Sequence, residues 1–156
     1  MMLSVSHKET YQAAMKLLMR RMYSIQELHS KLVVKGHSEI AISHVILELS
    51  QRGYLDDTAL CDILFRKYSS IRKYSIKQII AKLKLRGLTM ETIQSIMNQY
   101  EGINEIDAAL NLLRKRYLNP QTVDHAKIVR YLLSKGFSYS VIHQATQSIS
   151  ASAPDF

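Results

Sequence analysis

Along residues 76–83 the apolar side chains fall at Ile76, Ile79, Ile80 and Leu83, the i, i+3, i+4, i+7 spacing of one buried helical stripe. The stripe has counterparts upstream, through Leu28 and Leu32, and downstream, through Ile128 and Leu132. Each time it runs into the same ending: Leu32-x-x-Lys35-Gly36-x-Ser38, Leu83-x-x-Arg86-Gly87-x-Thr89 and Leu132-x-x-Lys135-Gly136-x-Ser138. Four positions after the hydroxyl, Ile42, Ile93 and Ile142 open another apolar stripe. A unit of about 50 residues is therefore written three times.

The shared ending reads as one helix closing and the next beginning. Glycine enters the left-handed conformation that terminates a helix, the preceding cation suits the negative end of the dipole, and the hydroxyl accepts from free N–H groups of the following helix. Ser24, Ser75 and Asp124 stand where the helix before each glycine starts. A further helix is predicted ahead of each pair, over 8–22, 57–69 and 105–117, and the helices after the turns fall in 38–50, 89–101 and 138–150. No segment carries a strand or two-residue hairpin signal.

The predicted fold is all-α: three tandem three-helix, helix-turn-helix-like repeats stacked into an elongated curved array, because a lone unit of this size buries too little surface to be stable. Boundaries near Gly53 and Gly102 give repeats 1–53, 54–102 and 103–150, with a flexible tail at 151–156. Asn119-Pro120 interrupts the third copy.

Charge sharpens the picture. The net charge is +8, and from 63 to 90 there is no acidic residue while Arg66, Lys67, Arg72, Lys73, Lys77, Lys82, Lys84 and Arg86 all occur. Arg20 and Arg21, then Arg114, Lys115 and Arg116, end the first helices of the outer repeats, and Lys127 and Arg130 follow. Tyr23, Tyr68, Tyr74 and Tyr117 lie beside these charges. Such a distribution suits an anionic partner, either nucleic-acid phosphate or an acidic protein surface. Base-specific reading by the helix after the turn is disfavoured, since 38–50, 89–101 and 138–150 contain no Lys or Arg.

Catalytic signals are weak. Asp56-Asp57 is an adjacent acidic pair of the kind that holds a divalent metal for phosphoryl chemistry. Its position just ahead of an apolar stripe, with Leu55 and Leu60 spaced as a hydrophobic staple, favours helix capping instead. The single cysteine, Cys61, rules out an intrachain disulfide and reads as a small core residue. No histidine pair has ligand spacing and no glycine loop cradles phosphate, so neither metal nor cofactor is expected, nor enzymatic activity. The first residues lack a signal-peptide pattern and no stretch approaches a membrane span, which points to the cytoplasm. Without a long heptad seam, a monomer is expected.

At Gly53-Tyr54-Leu55-Asp56-Asp57, together with the Leu-x-x-Lys/Arg-Gly units around Gly36, Gly87 and Gly136, the chain resembles the RecX family of bacterial recombination regulators. Ala14-x-x-Leu17-Leu18 followed by Arg21, and Ser24-x-x-Glu27-Leu28-x-x-Lys31-Leu32, are also family-like, and the resemblance extends over roughly 11 to 149. Departures are Leu60-Cys61, where the family usually has Phe-Ala, and Tyr74-Ser75-Ile76 in place of a Tyr-Gly-Pro-like helix start. The resemblance implies a protein that binds the RecA recombinase and its filaments on single-stranded DNA, inhibiting strand exchange, ATP hydrolysis and co-protease activity in DNA repair, recombination and the SOS response. The charge pattern by itself leaves open sequence-independent binding of single-stranded nucleic acid without RecA.

Overall fold

The computed structural model describes residues 5–152. Among them are nine α-helices and no strand, in three successive groups of three. These are α1 (Val5–Leu18), α2 (Ile25–Val34) and α3 (Glu39–Gln51); α4 (Asp57–Ile71), α5 (Ile76–Leu85) and α6 (Met90–Met97); and α7 (Glu105–Arg116), α8 (His125–Ser134) and α9 (Tyr139–Ala151). The all-α reading and the threefold helical repeat hold.

The helix junctions follow the chemistry of the repeated ending. Gly36, Gly87 and Gly136 have φ of 90°, 80° and 91°, and each lies just past the end of its helix. Behind them Ser38, Thr89 and Ser138 accept from the amides of Ala41, Thr92 and Val141. Ser24 and Ser75 cap α2 and α5 through the amides of Glu27 and Gln78, both at 3.1 Å. The Gln78 side chain also accepts from the Ser75 amide, completing a capping box. Asp124 occupies the corresponding place before α8, but its side chain makes no capping bond.

Two predicted lengths require correction. α1 ends at Leu18 rather than at 22, because the polar run Arg20-Arg21 leaves the helix and Tyr23 turns inward to join the core around Ala14 and Leu17. α6 ends at Met97 instead of near 101, and Tyr100 packs on Phe65 with 5.1 Å between ring centroids. Asn119-Pro120 opens a single 3-10 turn. The expected tail lies outside the described residues from 153 onward; Ala151 ends α9 and Ser152 is its C-cap.

The chain divides into two compact units, Met1–Leu64 with Leu83–Met97, and Phe65–Lys82 with Asn98–Phe156. In the first, α1 packs on α2 and α3 around Leu28, Leu32, Ile42, Val45 and Leu49, all fully buried. In the second, α7 and α8 pack on α9 around Leu113, Leu132, Phe137, Ile142 and Ala145. Cys61 is buried, and burial pushes its thiol up from the ordinary range, as suits a packing residue rather than a nucleophile.

One kind of joint recurs inside both units. Asp57, the first residue of α4, accepts from the Ile25 amide at the start of α2 (3.0 Å), and Glu105, the first residue of α7, accepts from the Ile76 amide at the start of α5 (2.6 Å). Beside each joint a glycine meets a cap: a methyl group on Gly87 would sit 2.8 Å from Ser24 Oγ, and one on Gly136 would sit 2.9 Å from Ser75 Oγ. Ser75 Oγ moreover donates to the Lys135 carbonyl at 2.7 Å. The cap serine of one repeat is thus the seat for the helix end of the next.

Candidate nucleic-acid and partner-binding surface

The acid-free stretch supplies basic residues to both units. Arg66, Lys67, Arg72, Lys73, Lys77 and Lys82 belong to the second, Lys84 and Arg86 to the first. They differ sharply in what they touch. Arg86 is held inside the first unit, its Nε on a Glu27 carboxylate oxygen and its Nη2 on the Met22 carbonyl, with both side chains of the ion pair largely covered. Glu27 also accepts from Arg21 at 3.0 Å, and the Arg21 guanidinium lies 3.9 Å from the Tyr23 ring centre. Arg21 and Arg86 therefore spend much of their charge within the fold. Arg72 stands 3.9 Å from Asp107, an exposed and weak contact.

The lysines behave otherwise. Among the described residues no carboxylate lies within ion-pair reach of Lys67, Lys73, Lys77, Lys82 or Lys84, and only Lys82 is partly covered. Lys82 places Nζ 4.6 Å from the Tyr74 ring centre and 5.6 Å from that of Tyr68, Lys73 sits 5.3 Å from Tyr74, and the two rings meet edge to face at 6.0 Å. Charge and aromatic surface are brought together here by Tyr74, which precedes the cap of α5, and Lys82, two turns along that helix.

A second cluster of the same kind stands at the end of α7 and along α8. The Arg116 guanidinium lies 4.6 Å from the Tyr131 ring centre and 5.7 Å from that of Tyr117, Lys135 lies 5.8 Å from Tyr131, and the rings again meet edge to face at 6.2 Å. Lys135 enters the sequence reading only as the cation that closes α8 before Gly136, and Tyr131 does not enter it at all, although their four-residue separation at the end of one helix is a readable signal. The side chains of Arg20, Arg114, Lys115, Lys127 and Arg130 are exposed and make no hydrogen bond or ion pair with another described residue.

The acidic pair resolves into two structural roles. Asp56 caps α4 by accepting from the Ala59 amide, and Asp57 makes the joint to Ile25. Leu55 and Leu60 are buried, while Tyr54 beside Gly53 is exposed. Among the described residues no group of three or more His, Cys, Asp or Glu is arranged to hold a metal, and no helix is long and apolar enough to cross a membrane. His37 is paired with Thr10 and His29 with Glu39.

Comparison with known proteins gives the arrangement a lineage. A family model described as the first three-helix domain of RecX matches residues 11–49, and one described as the third three-helix domain of RecX matches 104–146. "Regulatory protein RecX" of Legionella pneumophila is 29% identical over 149 residues, covering 92% of this chain and 97% of the relative. Its namesake in Stenotrophomonas maltophilia is 31% identical over 139 residues, covering 87% and 84%. The crystal structure of RecX from Lactobacillus salivarius superimposes with a TM-score of 0.81 at 24% identity, over 96% of this chain and 99% of that one, a likeness of fold.

Proposed function

The chain belongs to the RecX family, and from that premise we propose that it is a non-enzymatic regulator that binds the RecA recombinase and RecA filaments on single-stranded DNA and restrains strand exchange, ATP hydrolysis and co-protease activity. It acts in the cytoplasm as a monomer, and repeats 1–53, 54–102 and 103–150 are its separate points of attachment. The observation that carries this reading is the set of lysines on α4, on α5 and in the connection between them, Lys67, Lys73, Lys77, Lys82 and Lys84, left without carboxylate partners. Unpaired cations offer Coulomb attraction to an acidic groove or to phosphate, and several modest contacts on one chain lengthen residence through effective concentration. The clusters around Arg20 and Arg21, around Arg114, Lys115 and Arg116, and at Lys127 and Arg130 add further contacts.

Lys67→Glu with Lys84→Glu tests the surface. Both side chains are exposed and their reversal disturbs no ion pair, so the melting temperature should stay within about 1–2 °C while inhibition of RecA-driven ATP hydrolysis on single-stranded DNA weakens at least about tenfold. Full inhibition by the double variant would place the contact elsewhere. A second reading, sequence-independent binding to single-stranded nucleic acid without RecA, is favoured by the two cation–tyrosine clusters, which are the elements of a stacking groove. Tighter association with RecA-coated than with bare DNA at the same salt separates the first reading from the second.

A further inference from the structure

The second unit contains a cleft of about 400 Å³ between the end of α4 and the start of α7. Phe65, Ile79 and Ala108 form its buried apolar floor, and Tyr74 and Tyr100 are partly covered rings on its walls. Ser69 also lines it, and its Oγ is buried with no hydrogen-bond partner among the described residues. A buried hydroxyl left unsatisfied is costly, and nearly all such groups in folded proteins find a partner. At the mouth, Arg72 has φ 53°, a left-handed backbone that is strained for a residue with a side chain. Its carbonyl is held by Asn111 Nδ2 at 3.0 Å.

From these features we infer that the cleft is a nucleobase subsite, taking one unstacked base of a single strand. This rests on the proposed contact with single-stranded DNA and adds a place where a base, rather than a phosphate, is bound. A base is neutral and planar, with polar edges. Its faces match the rings of Tyr74 and Tyr100 over the apolar floor, and its edge supplies the hydrogen bond that Ser69 Oγ lacks. Tyr74 belongs both to the cleft wall and to the cluster with Lys73 and Lys82, so a base against this ring has its flanking phosphates beside the two ammonium groups. Three acids line the lip: Glu105 is engaged by the Ile76 amide and Asp107 by Arg72, while Glu101 is exposed and makes no ion pair with a described residue, so the cleft itself repels a phosphate and suits an uncharged ligand. A stacked base contributes to affinity whatever its identity, in keeping with the absence of cations on the helices that follow the turns.

The test compares a fluorescent oligothymidylate with an abasic strand of equal length and charge, each bound to the full-length protein at one salt concentration. The native protein should bind the base-bearing strand about tenfold more tightly. Ser69→Leu, which fills the cleft, should bring its affinity down to that of the abasic strand and leave the abasic strand's own affinity unchanged. Equal binding of both strands by the native protein overturns the subsite, as does a base preference that survives a folded Ser69→Leu. Should that variant fail to fold, titration of the native protein with deoxyadenosine, followed by NMR, decides. Shifts at Ser69, Tyr74 and Tyr100 are expected, and their absence overturns the proposal. If the filled cleft spares DNA binding but weakens binding to RecA filaments, the occupant is a protein side chain and the nucleobase assignment falls. A native protein that inhibits RecA without preferring bases loses the subsite but keeps the regulatory reading; one that prefers bases without affecting RecA does the reverse.

Discussion

At the scale of single residues, the same side-chain type does different work according to what surrounds it. Asp57 illustrates this, since a carboxylate of a type that serves chemistry elsewhere accepts the Ile25 amide and ties α4 to α2. Burial raises its carboxyl above the ordinary aspartate range against the lowering effect of that amide, and the nearby charges of Asp56 and Glu27 add to the rise. A carboxyl raised by folding holds its proton more tightly in the folded than in the unfolded chain. Its favourable contribution is therefore present at acid pH and is lost as pH climbs through the folded value. Asp57→Asn retains an oxygen for the Ile25 amide and removes the charge. Its melting temperature should equal or exceed that of the native protein at neutral pH, and the gap should close as pH falls towards about 3. Thermal melts of both proteins across that range check the sign, and a gap that widened in acid would contradict it.

At the scale of elements, the three glycines that close α2, α5 and α8 look equivalent in sequence and are not equivalent in space. A Cβ on Gly36 would meet nothing within 4 Å, whereas on Gly87 it would fall 2.8 Å from Ser24 Oγ and 2.9 Å from Gln26 Cβ. Gly36→Ala should cost only the strain of positive φ, about 1–2 kcal/mol. Gly87→Ala adds an overpacking cost of about 1–3 kcal/mol, because the cap serine and the backbone that carries it have little room to yield. Urea denaturation of the two variants should show the difference directly, and equal losses would mean that the cap of α2 is not the seat of α5. The comparison also marks what the sequence disclosed. Helix existence, the turns and their caps were legible because each is a local rule, stated by Gly36, Ser38 or Ser75 and their neighbours. The joints from Asp57 to Ile25 and from Ser75 to Lys135, and the burial of Arg86 against Glu27, were not legible, since each joins residues distant in the chain. The cleft was hidden for the same reason: Ser69, Tyr74, Tyr100 and Ala108 converge only once the end of α4 and the start of α7 come together.

At the scale of the whole molecule, the net charge of +8 overstates what is available to a partner. The covered Arg86 and the exposed Arg21 share the carboxylate of Glu27, while Lys67, Lys73, Lys77, Lys82 and Lys84 lack any such partner. Salt dependence distinguishes the two classes, because only a cation that displaces counterions from phosphate steepens the fall of affinity with salt, by about 0.7 in the log–log slope per phosphate on a single strand. Lys67→Gln with Lys84→Gln should therefore make the slope shallower by up to about 1.4, with stability nearly intact. Arg86→Gln should do the opposite. Breaking its charged hydrogen bonds to Glu27 and Met22 should cost about 1–3 kcal/mol of stability, while the slope stays as in the native protein. The two variants together separate charge that holds the fold from charge that reaches a partner, and a slope that responded equally to both would mean that the pairing of Arg86 with Glu27 gives way when the strand binds.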